Sequence, residues 1–168
     1  MNKNIINQIL EKSEHIDFAF EIESKIELLK TAIMDKFRIP LVKQLKSEDW
    51  IVFENLEFGK ANEYLVFFKQ DWKIQFVLYF ERPFSDLRIG INPQFQTDID
   101  IESDSILRAK LSVLPSLEFP QNKYWIWLTN LDFSNLLWSE IYEGKLTEIT
   151  KKKIDEIFYS IGNQLSAS

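Results

Sequence analysis

The chain has 168 residues, of which 45% are hydrophobic and 27% charged, so it is long enough for one domain with one core. Its net charge of −6 and the lack of a basic stripe disfavour a nucleic-acid-binding protein, because phosphate neutralisation supplies most of the affinity of such proteins. The absence of cysteine excludes disulfides, thiolate catalysis and cysteine-based zinc sites.

The beginning of the chain predicts neither export nor membrane insertion. Its sequence, MNKNIINQILEKSEH, is polar and amphipathic, and it lacks the apolar core of a signal peptide. No stretch of about 18 apolar residues occurs, so no membrane span is predicted. We therefore expect a cytoplasmic protein that does not bind membranes.

Residues 4–46 read as a helical region. A first apolar stripe comprises Ile5, Ile6, Ile9 and Leu10. After a weaker patch at residues 15–17, steps of three and four residues continue one helix face. This second stripe comprises Ile22, Ile26, Leu29, Ile33, Phe37, Leu41 and Leu45. Pro40 is expected to kink the helix or to end it near Arg38, because proline lacks the backbone N–H that a helix interior uses.

Residues 50–92 predict an antiparallel sheet. The candidate strands are 50–53, 64–69, 73–81 and 87–91, with a polar turn at 57–62 that contains Gly59. Strand 73–81 is the clearest, because Ile74, Phe76, Leu78 and Phe80 alternate with residues of the opposite face. Short connections favour a meander, in which each strand pairs with the next.

Residues 100–166 predict helices with one short aromatic strand. Residues 94–102 read as a loop, Ser103 as the cap of a helix to Ser112, and 124–128 as the strand. Asp132 or Ser134 is expected to cap a helix through Tyr142, with Gly144 at its C-terminal end. Thr147 is expected to cap a last helix with the apolar stripe Leu146, Ile149, Ile154, Ile157, Phe158, Ile161 and Leu165. The whole predicts one α+β domain over 1–168, with residues 1–46 as a helical arm or hairpin.

The order of these patterns resembles a known family. Asp71-Trp72-Lys73 is followed by IQFVLYFE, LRIGI, the pair Trp125 and Trp127, and a helix that contains Trp138-Ser139-Glu140-Ile141. This order resembles the C-terminal accessory region of some bacterial and phage proteins of the PD-(D/E)XK nuclease superfamily, over residues 20–165. The resemblance implies an accessory or recognition role.

The resemblance does not extend to the nuclease motif. That family carries metal-binding carboxylates and a lysine on a β-hairpin in an upstream domain. The nearest match here is the E-x-K spacing in Glu21-Ile22-Glu23-Ser24-Lys25, and it lies in a helical pattern with no aspartate on a preceding strand. A charge pattern on a helix surface is therefore the favoured interpretation, and no catalytic activity is implied.

Other candidate chemistry is sparse, so we predict no catalytic residue, no metal site and no cofactor. His15 is the single histidine, and a place on or between helices is favoured over a pH-sensing role. The acidic residues Asp98, Asp100, Glu102 and Asp104 lack the spacing of an EF-hand, so helix capping is favoured over a calcium or magnesium site. Lys151-Lys152-Lys153 reads as a solvated helix face.

The best candidate for a contact surface is the face of strand 73–81 opposite Phe76. It carries Gln75 and Tyr79, with Arg88 from the next strand, and Trp72 is the tryptophan expected to be exposed in a turn. Trp127 completes the predicted partner-binding set. For Trp125 and Trp127 two interpretations stay open, stacking on a base or sugar and packing in the core, and the core is favoured.

Three functions remain in view at this point. The favoured one is a non-catalytic protein-interaction module, such as an adaptor, inhibitor or immunity-type protein that binds another protein. The alternative is a nucleic-acid-recognition subunit that acts with a separate PD-(D/E)XK-type nuclease. An enzyme with an unrecognised site is the third. The hydrophobic N-terminal region is also compatible with a homodimer.

Overall fold

The structure is a computed structural model, and it describes residues 10–54, 63–70, 72, 74–93, 109 and 125–161. In chain order these form helix α1 (Ser13–Ser47), strands β1 (Ile51–Glu54), β2 (Tyr64–Phe68), β3 (Ile74–Phe80), β4 (Leu87–Pro93) and β5 (Trp127–Asn130), and helices α2 (Trp138–Tyr142) and α3 (Lys145–Ile161). The predicted α+β class, with an antiparallel sheet between helices, is confirmed.

The chain divides into two compact units, and the boundary falls within α1. The N-terminal unit is Met1–Ala32, and the C-terminal unit is Ile33–Ser168. The N-terminal unit contains the first part of α1, and the C-terminal unit contains the sheet and the hydrophobic core. The single domain over 1–168 stays a prediction.

Helix α1 continues through Pro40, so of the two predicted outcomes, a kink or an end near Arg38, the end near Arg38 is wrong. A proline inside a helix removes one backbone hydrogen bond, but tertiary packing outweighs that loss here. Phe37 and Leu41, one on each side of Pro40, are fully buried in the core. The carbonyl oxygen of Phe37 also accepts a hydrogen bond of 3.2 Å from the Thr147 hydroxyl.

The five strands form one antiparallel sheet in the order β1-β2-β3-β4-β5, as the meander prediction requires. The register pairs Val52 with Phe67, and Phe67 in turn with Phe76. Phe76 lies opposite Ile91, and Ile91 lies opposite Trp127. The predicted aromatic strand is therefore the fifth strand of the same sheet, shifted to Trp127–Asn130.

One face of the sheet, which we call the core face, packs into the hydrophobic core. The alternating residues of β3 predicted to be buried all lie on this face. Helices α1 and α3 supply the other side of the core, with Phe37 and Leu41 from α1 and Ile154 and Ile157 from α3. Leu146 and Ile161 of the predicted α3 stripe are buried with them.

The helix starts in the C-terminal region differ from the predicted ones. Asp132 accepts hydrogen bonds from the backbone N–H and the hydroxyl of Ser134, which makes a local turn rather than a helix cap. Helix α2 begins at Trp138, and the Glu140 carboxylate accepts a hydrogen bond from the backbone N–H of Leu137. Thr147 is inside α3 and is not its cap. Gly144 follows α2 with φ +97°, as predicted for a C-terminal glycine.

Several predicted features lie outside the described residues. They are the first apolar stripe up to Ile9, the turn around Gly59, the loop 94–102, the acidic cluster 98–104, and Leu165 with the tail beyond it. Of the predicted helix 103–112, only Ala109 is described, and it is helical.

Candidate protein-binding surface

The face of the sheet opposite the core, which we call the outer face, carries the candidate surface. Strand alternation and register place one set of residues on it. Val66, Val77 and Leu128 lie near its middle; all three are buried, and none belongs to the core cluster. From β1 to β5 the set is Ile51, Phe53, Tyr64, Val66, Phe68, Gln75, Val77, Tyr79, Arg88, Gly90, Asn92, Leu128 and Asn130.

The structure brings together three of the five predicted site residues on this face. Tyr79 lies directly opposite Arg88 across β3 and β4, and Gln75 lies opposite Asn92 in the same pair of strands. Burial raises the pKa of the Tyr79 phenol, and a hydrogen bond with Arg88 opposes that rise. Arg88 also pairs with Glu81. Its charge is therefore neutralised within the chain.

Gln75 is less accessible than the sequence suggested. Its side chain is buried, and its Nε2 has no hydrogen-bond partner among the described residues. Tyr79 is half-buried, because the ring of Trp125 stacks on it at 5.5 Å between centroids and 17° between planes. The centre of the outer face is thus partly covered by this chain itself.

Trp72 and Trp127 do not belong to this surface, and the expected exposure of Trp72 is wrong. Trp72 is buried, with its ring edge-on to Trp50 at 5.4 Å and stacked on Phe158 at 5.7 Å. Trp127 is fully buried on the core face. For Trp127, core packing rather than base stacking is the interpretation that the structure supports. Both rings are buried because the free energy gained by removing apolar surface from water increases with its area, and tryptophan has a large apolar area.

Gly90 makes room for Trp125 on the outer face. A Cβ atom at position 90 would lie 2.4 Å from Cζ3 of Trp125 and 2.9 Å from Cδ1 of Leu128. Such distances are far below van der Waals contact, so only glycine permits the indole to lie against β4 here. The stacking of Trp125 on Tyr79 of β3 therefore requires a glycine at position 90 of β4.

We expect Gly90→Ala to lower the free energy of unfolding by about 1–3 kcal/mol, because the added methyl group overpacks the space of Trp125. Chemical denaturation followed by circular dichroism measures this loss. In a Trp125→Ala background the indole ring that the added methyl group would contact is absent. The further decrease in the free energy of unfolding from Gly90→Ala should therefore be smaller. Equal losses in both backgrounds would show that Trp125 is not the obstacle.

The most exposed apolar side chains of the outer face lie on β1 and β2. We call Ile51, Phe53, Tyr64 and Phe68 the aromatic patch. Phe53 is 60% exposed and Tyr64 is 52% exposed, and the rings of Phe53 and Phe68 stack at 5.9 Å between centroids. Strand β1 is at one end of the strand order, so the patch lies at a sheet edge. Exposed apolar side chains grouped on two neighbouring strands are typical of sites that bind another molecule.

The aromatic patch was not among the predicted site residues, although a signal for it exists. Phe53 and Tyr64 occupy alternate positions to Val52 and Leu65, as strand periodicity requires for the opposite face. Pairing β1 with β2 in the observed register brings Phe53 and Phe68 onto one face. The sequence alone does not give the register between β1 and β2, so it could not show that their exposed side chains form one surface.

The remaining charged motifs of the sequence form surface ion pairs rather than a catalytic or metal site in the part of the chain that the structure describes. Lys25 pairs with Glu21 at 2.5 Å on the surface of α1, so the E-x-K spacing is a helix-surface charge pattern. Among the described residues, no group of three or more His, Asp or Glu could hold a metal ion. Of Lys151-Lys152-Lys153, Lys151 pairs with Glu48 and Asp155, and Lys153 pairs with Glu156.

None of the helices in the described part of the chain has the apolar length that crossing a bilayer requires. Comparisons with models of protein families, with curated proteins and with solved structures find no match. The resemblance to the PD-(D/E)XK accessory region therefore stays a prediction.

Proposed function

We propose that this protein is a non-catalytic protein-interaction module, of the adaptor, inhibitor or immunity type, that binds another protein through the aromatic patch. The observation that supports this most is the exposure of Phe53 and Tyr64 on a sheet whose opposite face is already filled by its own core. Aromatic rings of this kind supply large contact area at small cost in side-chain entropy.

The charges around the patch favour a protein partner over a nucleic acid. The basic side chain on the described outer face, Arg88, pairs with Glu81. The chain as a whole carries a net charge of −6. A phosphate backbone would meet repulsion here, whereas an apolar protein surface would bury the exposed rings. We therefore assign the patch to a protein that presents apolar side chains.

The test is capture of the partner from a lysate of the native host by the wild-type chain and by the double variant Phe53→Thr/Tyr64→Thr. Threonine keeps a high β-propensity, so the sheet should remain folded while the aromatic area is lost. We expect one protein to be retained by the wild type after nuclease treatment and lost with the variant. Titration with that purified protein should show affinity weakened by about 100-fold, since two aromatic contacts are removed.

A matched control is Tyr142→Gln/Tyr159→Gln, which removes two exposed aromatic rings elsewhere in the C-terminal unit. It should retain the partner fully. Undiminished binding by the Phe53→Thr/Tyr64→Thr variant, with unchanged circular dichroism, would refute the proposed surface. Recovery of nuclease-sensitive material alone would support the nucleic-acid-recognition subunit instead.

A further inference from the structure

A second apolar surface lies on the N-terminal unit, on the first half of α1. We call Phe18, Ala19, Ile22, Ile26 and Leu29 the N-terminal stripe. Phe18 is 63% exposed, Leu29 54%, Ile22 46% and Ile26 38%. A shallow groove of about 300 Å³ lies along one side of the stripe, lined by Phe18, Ile22 and Leu29 and by the ion pair of Glu21 and Lys25.

The spacing of the stripe is that of a helix that packs against another helix. Ala19, Ile22, Ile26 and Leu29 are separated by three, four and three residues, which is the pattern of positions a and d in a coiled coil. With that assignment, Glu23 and Lys30 both occupy position e and flank one side of the stripe. Lys25 occupies position g on the other side.

We propose that the N-terminal stripe binds a second copy of this chain in an antiparallel helix pair. A two-fold symmetric contact requires a surface that is complementary to itself. Helix α1 meets that requirement through its charges. Residues 13–27 carry five acidic residues and one lysine: Glu14, Asp17, Glu21, Glu23, Glu27 and Lys25. Residues 28–47 carry four lysines, Lys30, Lys36, Lys43 and Lys46, while Arg38 is buried and paired with Asp35 and Glu54 of its own chain.

This charge order selects the antiparallel direction. Two parallel helices would set acidic halves beside each other and basic halves beside each other. Two antiparallel helices set each acidic half beside the basic half of the other copy, which lowers the electrostatic energy of the pair. The argument uses the helix itself and not the aromatic patch, so it is independent of the proposed function.

Two flanking residues make the direction testable. If Ile26 of one copy packs beside Leu29 of the other in an antiparallel pair, Glu23 of each copy lies near Lys30 of the other, twice per dimer. In a parallel pair, Lys25 would instead lie near Lys30 of the other copy, with repulsion. The substitution Lys30→Glu should therefore weaken an antiparallel dimer and strengthen a parallel one.

The expected dimer is concentration-dependent. The stripe from Phe18 to Leu29 spans about 18 Å of helix, so the area that it can bury is smaller than the roughly 800 Å² per partner of a standard stable interface. The oligomeric state of the chain should accordingly shift from monomer to dimer as the protein concentration is raised. Sedimentation velocity measures that equilibrium directly.

In this experiment we expect Lys30→Glu and Glu23→Lys each to raise the dimer dissociation constant about tenfold, since each turns two attractive pairs into two repulsive ones. The double variant Glu23→Lys/Lys30→Glu should return to the wild-type constant. Lys152→Glu, on α3, makes the same charge change as Lys30→Glu away from α1 and should leave the constant unchanged. Ile26→Asp should abolish the dimer.

The absence of cysteine allows a direct check of direction, because a cysteine introduced at Asp17 is unique. Spin labels attached there should be about 30 Å apart in the antiparallel dimer and about 15 Å apart in a parallel one, from the rise and diameter of a helix. A wild-type chain that stays monomeric at all concentrations, a dimer that survives Ile26→Asp, or a dimer that Lys30→Glu strengthens would overturn the proposal.

Discussion

Replacing Trp127 by alanine is expected to lower the free energy of unfolding by about 3–5 kcal/mol, the largest loss we predict for a single substitution. The ring is fully buried on the core face, opposite Ile91 in the register of β4 and β5. Alanine would leave a cavity that the surrounding strands and helices can fill only in part. Denaturant unfolding followed by circular dichroism measures the loss.

Trp127→Phe should cost far less than Trp127→Ala. The indole Nε1 has no hydrogen-bond partner among the described residues, and an unpaired buried N–H costs about 1–3 kcal/mol. Phenylalanine removes that group and keeps most of the apolar volume. Trp138→Ala, at a partly exposed position, serves as the control and should shift the denaturation midpoint little. Equal losses for Trp127→Ala and Trp138→Ala would contradict the place of Trp127 in the core.

Arg38→Ala is expected to give the second largest loss, about 2–3 kcal/mol. Its guanidinium is buried between Asp35, at 3.0 Å, and Glu54, so it ties α1 to β1. Removing one member of a buried pair leaves the other charges without a partner and costs about 3–5 kcal/mol when all are fully buried. The partial exposure of the two carboxylates reduces that figure. Alanine also removes the apolar stem of the arginine.

A double-mutant cycle separates these effects. Glu54→Gln should destabilise less than Arg38→Ala, and the double variant should lose less than the sum of the two single variants. Arg82→Ala is the matched control, because Arg82 pairs with Asp86 on the surface, and it should leave the denaturation midpoint unchanged. Strict additivity of Arg38→Ala and Glu54→Gln would show that the pair contributes no coupling energy.

Strand periodicity predicted the sheet well, because burial of one face imposes a strict alternation. Phe76 and Leu78 occupy the core face as expected, and each predicted strand lies within a few residues of the observed one. Short connections made the meander the simplest topology, and the structure has it. These features depend on local patterns, which a sequence displays directly.

The wrong predictions concern residues whose local preference is overruled by distant contacts. Pro40 favours the end of a helix, yet Phe37 and Leu41 on either side of it are fixed in the core. Trp72 lies near a turn, where exposure is common, yet Trp50 and Phe158 enclose it. Trp50 and Phe158 are both far from Trp72 in sequence, and the core residues that hold Phe37 and Leu41 in place are likewise distant from Pro40. Local propensity therefore could not reveal these two outcomes.

The sequence predicted which residues share the outer face of β3 and β4, but it did not predict which aromatic side chains of the outer face are exposed. The outer face of β3 was identified correctly as the one opposite Phe76, and Tyr79 and Arg88 do meet there. The sequence could not show that Trp125 would stack on Tyr79. That contact covers part of Tyr79, whereas Phe53 and Tyr64 are exposed. The stacking of Trp125 requires a glycine at position 90, which is evident only once β4 lies beside Trp125.

The strand order has a consequence for synthesis on the ribosome. Because strands that are neighbours in the chain are neighbours in the sheet, β1 to β4 can pair in the order of their emergence, with short loops to close. Helix α3, which supplies Ile154 and Ile157 to the core, emerges after all five strands. A nascent chain that pauses before α3 would hold a paired sheet whose apolar face lacks the cover that α3 supplies. Chaperone demand should therefore be highest after β5 has emerged and before α3 follows.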